Sequence, residues 1–169
     1  MTVRDIRLFG DPVLREACRP VTDFGAGLGR LVTDLTQTCR LPGRAGLAAP
    51  QIGADLRVFC YNVDGEEGYV INPRLLSSDG HQDGPEGCLS IPGLYAPTPR
   101  AGHAVVTGVD LDGRPVTVAG TGELARCLQH ELDHLDGHLF LDRLSPGERR
   151  QALRALRDRL SDLGPAGPP

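Results

Sequence analysis

His130, Glu131 and His134 stand in the order His-Glu-x-x-His. On a helix, residues four apart share a face one turn apart, so both imidazoles can reach a single metal ion. Glu131 points to the side of that pair, where a base for an activated water belongs. Two histidines bring two ligands, and a catalytic metal needs a third with one position left open. A metzincin frame would place another histidine ten residues after His130, but position 140 is Phe. A thermolysin-like frame needs a later carboxylate. Glu148 is the candidate, and its place after Ser145-Pro146-Gly147 already explains it as part of a helix capping box. His138, just past Gly137, reads as a surface residue.

The third ligand is therefore sought upstream. Cys88 lies in GPEGCLSIPG, a Gly/Pro-flanked segment read as a loop and a poor place for a core cysteine. Cys88, His130 and His134 together make a thiolate-bis-imidazole site; the bland alternative for Cys88 is an inert buried thiol. Cys127 is the rival sulfur, but three residues before His130 on the same helix it chelates awkwardly with both histidines, and it reads as wall or core. Cys18, Cys39 and Cys60 sit among apolar neighbours and read as core. None of the five cysteines forms a CxxC pair, so disulfides are not expected.

The elements that must position these residues follow from periodicity. Leu124, Leu128, Leu132 and Leu135 form one stripe of the helix carrying the histidines. His130, His134, Cys127 and Glu131 occupy a second face, so this helix belongs near the centre of the protein. Thr121 is its expected N-cap and Gly137 its stop. An earlier helix is expected over 25–40, ahead of Pro42-Gly43, and a last one from Ser145 with Leu153, Leu156 and Leu160 as its apolar stripe. Between them, 56–63, 68–76, 103–111 and 115–118 read as strands, with Asp112-Gly113 as a hairpin turn. Short connections make the sheets antiparallel. The expected class is α+β: antiparallel sheets around a central HExxH helix, with an N-terminal and a C-terminal helix. The expected organisation is one catalytic domain over 1–163 and a flexible tail at 164–169.

Composition closes other routes. The 169 residues suit one domain. All 18 basic residues are Arg, which removes Schiff-base lysines and Walker-type phosphate loops. A net charge of −4 argues against a DNA-coating role. No apolar run reaches the length of a signal peptide or membrane span, so a cytoplasmic enzyme is expected.

Three motifs then match in order: Gly46-Leu47-Ala48-Ala49-Pro50-Gln51, Glu86-Gly87-Cys88-Leu89-Ser90, and Gln129-His130-Glu131 through His134 to Gly137. With GDPVLR (10–15) and LDRLSP (141–146), the chain resembles the peptide deformylases over nearly its whole length. One departure is Arg44, where that family's first motif usually begins with glycine; it bears on the entrance loop. The resemblance implies hydrolysis of the formyl group from N-terminal formyl-methionine of new proteins. The implied ion is divalent: Fe(II) most readily, with Zn(II), Ni(II) or Co(II) able to use the same ligands. It implies Glu131 as the proton carrier and Gln51 with the Leu89 backbone N–H as oxyanion donors. It further implies Gly46 as a backbone partner of the substrate peptide, and Leu124, Arg126 and Cys127 as walls of the methionine pocket. Arg126 is expected to line that wall with its stem while its charge reaches water. Arg150, Arg154 and Arg157, on one arc of the last helix, are a candidate ribosome contact. A metalloprotease that cuts internal bonds, or a metal-binding relative without activity, are the competing readings.

Overall fold

A computed structural model describes residues 3–162; the tail expected at 164–169 lies outside them. Among the described residues are seven strands and three α-helices: α1 (Ala26–Cys39), β1 (Gly46–Ala48), β2 (Val58–Val63), β3 (Glu66–Asp79), β4 (Pro85–Cys88), β5 (Ile91–Pro97), β6 (His103–Val109), β7 (Pro115–Thr121), α2 (Gly122–Leu135) and α3 (Pro146–Asp162). Every named strand pairing is antiparallel, in a five-stranded sheet of order β1-β2-β3-β6-β7 and a separate β4-β5 hairpin.

Alternation along β2 divides the core. Phe59 and Val63 turn to one face with Ala48, Val70, Val106 and Val118, and there meet Leu124, Leu128, Leu132 and Leu135 of α2. Val58 and Cys60 turn to the other, with Leu47 and Ile71, and meet Leu28, Val32, Leu35 and Cys39 of α1. A period of two sends successive side chains to opposite faces, so the sheet is covered on both sides by one helix each. The leucine stripe read on α2 thus faces the sheet, leaving the histidine face for the cleft beyond. A third cluster joins Ile91 and Leu94 of the β4-β5 hairpin to Leu139, Phe140, Leu141 and Leu144 and to Ala152 and Leu156 of α3.

Several local expectations meet their geometry. Ser145 and Glu148 cap α3 reciprocally: the Ser145 backbone N–H donates to Glu148 Oε2 at 3.0 Å and the Glu148 N–H to Ser145 Oγ at 3.4 Å. Gly137 ends α2 in the left-handed region (φ 75°), and a Cβ there would meet the Arg15 carbonyl oxygen at 2.8 Å. His138 is exposed. Three details differ from the sequence reading. Thr121 occupies the N-cap of α2 but makes no side-chain capping bond. The segment around Cys88 is a hairpin, not a loop, because antiparallel pairing runs from Pro85↔Pro97 to Cys88↔Ile91 despite its glycines and prolines. The stretch 46–48, not among the expected strands, is itself β1 and pairs with Phe59–Tyr61.

Candidate active site

Two elements meet at the site. Strand β4 ends on Cys88, and α2 presents His130, Glu131 and His134 from its second face. Cys88 Sγ lies 3.2 Å from His134 Nε2, which in turn lies 3.2 Å from His130 Nε2. A tetrahedral ion about 2.05 Å from each of two nitrogens separates them by about 3.3 Å. The three donors are therefore already at chelating distance, and among the described residues they are the only such group of three.

The tautomer of His130 is fixed from behind. Its Nδ1 lies 2.7 Å from Glu86 Oε1, and Glu86 is also gripped by Arg100 (Nη2 to Oε1 2.6 Å, Nε to Oε2 3.0 Å) and by Arg126 (Nη1 to Oε2 2.8 Å). Burial opposes a charge on Glu86, but the hydrogen bonds from Arg100 and His130 outweigh it and hold the carboxyl well below its usual range. An ionised Glu86 can only accept, so Nδ1 is the donor and Nε2 points to the ion. Burial likewise opposes a thiolate at Cys88, and the facing imidazoles, His134 foremost, reverse that and lower its pKa well below the ordinary thiol value. His134 has no such clamp: its buried Nδ1 finds no hydrogen-bond partner among the described residues.

Glu131 has the opposite environment to Glu86. It is 3% exposed, its Oε2 finds no partner among the described residues, and burial pushes its pKa up to about 8. Gly46 makes room for it: a Cβ at that position would lie 2.4 Å from Glu131 Oε1 and 2.7 Å from Cys127 Sγ. Cys127 is buried and donates to the Ala45 carbonyl oxygen at 3.2 Å, which fits the reading of a wall residue rather than a ligand. Gln51, buried in the 3-10 turn Ala49–Ile52 that follows β1, accepts from the Ala48 N–H through Oε1 at 2.9 Å. That bond turns its Nε2 toward Ser90 Oγ (3.3 Å) and Cys88 Sγ (3.6 Å).

Gly46, Gln51, Cys88, Leu89, Arg126, Cys127, His130 and Glu131 all line one cleft of about 400 Å³. Two wall expectations are revised. Leu124 is absent from the cleft lining and packs under the sheet, where the helical stripe directs it. Arg126 does line the cleft, but its charge does not reach water. The residue is 5% exposed and its guanidinium is spent on Glu86 and on the Thr98 carbonyl oxygen at 2.9 Å. Arg44 also lines the cleft, and its Nη1 donates to the Thr38 carbonyl oxygen at 2.9 Å, tying the entrance loop to the end of α1. The residues that the sequence reading passed over are Glu86, given no role within its motif, and Arg100. Their signal is weak, since a buried ion pair shows in a sequence only as charges in apolar company.

The model of the polypeptide deformylase family matches residues 3–150. The chain belongs to this family. It is 56% identical to a peptide deformylase of Acidothermus cellulolyticus over 158 residues, covering 94% of this chain and 88% of the relative. Its fold matches the crystal structures of peptide deformylases from Legionella pneumophila (TM-score 0.89, 40% identity, 99% and 100% of the two chains) and Thermus thermophilus (TM-score 0.87, 44% identity, 95% and 96%). As a deformylase it is a hydrolase, and Cys88, His130 and His134 fit the metal that such chemistry requires.

Two outcomes follow from this geometry. Gly46→Ala forces Glu131 and Cys127 off their positions, and deformylation should fall about 100-fold with metal content unchanged, as elemental analysis and an activity assay would show. In metal-free protein, Glu131 binds its proton more tightly folded than unfolded. Its contribution is intact below about pH 4.5 and lost as pH rises toward about 8. Metal-free Glu131→Gln should therefore melt progressively above metal-free wild type across that window, and by a constant margin beyond it.

Proposed function

We propose that this deformylase removes the formyl group from the N-terminal formyl-methionine of newly made chains, with Glu131 as its proton carrier. The observation that supports this best is the buried Glu131 carboxylate, whose Oε2 has no partner among the described residues, lining the same cleft as Cys88 and His130 of the converging donor set. A divalent cation held by Cys88, His130 and His134 supplies Lewis acidity, lowering the pKa of water and polarising the formyl group. Glu131 takes the proton of the attacking water as its oxygen adds to the formyl carbon. It then delivers that proton to the methionine nitrogen as the C–N bond breaks, leaving formate and a free amine. Burial raises the Glu131 pKa in the metal-free protein, and a cation on the neighbouring donors would oppose that rise, the pairing a group needs in order both to accept and to donate.

Gln51 Nε2 and the Leu89 backbone N–H are assigned to the oxyanion, each such donor typically being worth about 2.7–4 kcal/mol. The anchoring of Gln51 Oε1 on Ala48 supports this role, because an amide fixed at one end needs no reorganisation. Strand β1 is at the edge of its sheet, so Gly46 can extend it by pairing with the substrate backbone. The methionine side chain would lie against Cys127 and the methylene stem of Arg126. Fe(II) is the ion assigned here, with Zn(II), Ni(II) and Co(II) as competitors for a mixed sulfur and nitrogen set. No helix among the described residues is long and apolar enough to cross a membrane, and a cytoplasmic location is part of this proposal.

Glu131→Ala should keep its metal and lose about 10²–10⁴-fold in turnover of formyl-Met-Ala-Ser; full activity would remove Glu131 from the mechanism. Cleavage of internal peptide bonds would favour the protease reading instead. Arg150, Arg154 and Arg157 are exposed on α3, and we assign them a contact with ribosomal RNA. A triple Arg→Glu variant should then lose co-sedimentation with ribosomes at low salt, the wild-type interaction weakening steeply as salt rises.

A further inference from the structure

The clamp on His130 does not stop at Glu86. Arg100 holds Glu86 with Nε and Nη2, and its remaining Nη1 donates to Asp133 Oδ2 at 2.7 Å. Asp133 is in turn held by a second fork, from Arg143, with Nε to Oδ2 at 3.0 Å and Nη2 to Oδ1 at 2.5 Å. The result is an unbroken line of alternating charge, His130, Glu86, Arg100, Asp133, Arg143. It leads from a metal ligand to the other side of α2. The side chains of Glu86 and Arg100 are each 3% exposed and that of Asp133 is 7% exposed, whereas that of Arg143 is 49% exposed and lines a second cavity of about 640 Å³ behind the helix. Asp133 lies within HELDH and Arg143 within LDRLSP, and the reaction assigns neither residue a role.

We propose that Arg143 is a positioning residue for the metal site, acting from outside the cleft through Asp133, Arg100 and Glu86 on the orientation of His130. Arg100 spans two buried carboxylates with three of its nitrogens, so its position is set by the competition between them. Arg143 neutralises Asp133 and fixes both of its oxygens. Without that fork, Asp133 keeps a full claim on Arg100 alone, Arg100 shifts toward it, and Glu86 loses the bidentate partner that holds it under Nδ1. The geometry at the ion then loosens although no cleft residue has changed.

This rests on the metal being held by Cys88, His130 and His134, and the test separates the two. Co(II)-loaded wild type should show thiolate charge-transfer absorption; its absence would overturn the ligand assignment itself. Given that band, Arg143→Ala should shift the Co(II) ligand-field absorption and release the ion to a chelator about tenfold faster. The activity loss should fall in kcat with KM unchanged. Arg143→Lys, which keeps the charge but not the fork, should be intermediate, and it carries the test if the alanine variant does not fold. Arg57→Ala is the control: Arg57 lines the same cavity and pairs with Asp136 on α2 at 2.7 Å. It should change the melting temperature without touching the spectrum or release rate. An Arg143 variant with wild-type Co(II) absorption and release, even if less stable, would overturn the proposal, as would an equal effect from Arg57→Ala.

Discussion

The structure depends on one buried carboxylate. Glu86 receives two guanidinium groups and one imidazole in a region where an unpaired charge would be prohibitive. Each partner comes from a different place in the chain: Arg100 from the segment between β5 and β6, Arg126 and His130 from two turns of α2. Glu86 thereby joins the small hairpin to the central helix and sets the direction of a ligand nitrogen in the same contact. Apolar packing seats the hairpin on residues 139–144 and on α3, but it is indifferent to rotation. The charged contacts supply the direction that chelation requires.

Two glutamates a few ångströms from the same donors illustrate how environment assigns roles. Glu86 is surrounded by donors and stays ionised; Glu131 has burial without a compensating side-chain donor, and in the metal-free protein burial raises its pKa. Their local sequences do not separate them, since both sit beside a metal ligand or within two residues of one. The separation comes from what folds against them: Arg100 and Arg126 for one, the bare backbone of Gly46 for the other.

This contrast shows what the sequence could convey. Helical spacing placed His130, His134 and Glu131 on one face and the four leucines on another, because both follow from 3.6 residues per turn. Strands β2, β3, β6 and β7 were legible from β-branched runs and their punctuation. The β4-β5 hairpin was not, since its glycines and prolines mimic a loop and its pairing is a tertiary event. Leu124 was given two incompatible places, and the helix periodicity, not the family resemblance, proved the better guide. Arg126 was misread for a related reason. An arginine in a sequence declares its charge but not its partner, and Glu86 stands 40 residues away.

The packing of the hairpin has a consequence for how the enzyme is made. The apolar side of Ile91 and Leu94 is covered by residues 139–144 and by Ala152 and Leu156, while both imidazoles arrive with residues 130 and 134. Synthesis proceeds from the N-terminus, so the five-stranded sheet can be assembled while Cys88 still waits for its companions and its hydrophobic backing. Maturation of this enzyme therefore waits on translation through Leu156: a growing chain cannot gain competence to process others until α2 and the first turns of α3 have left the peptidyl-transfer machinery.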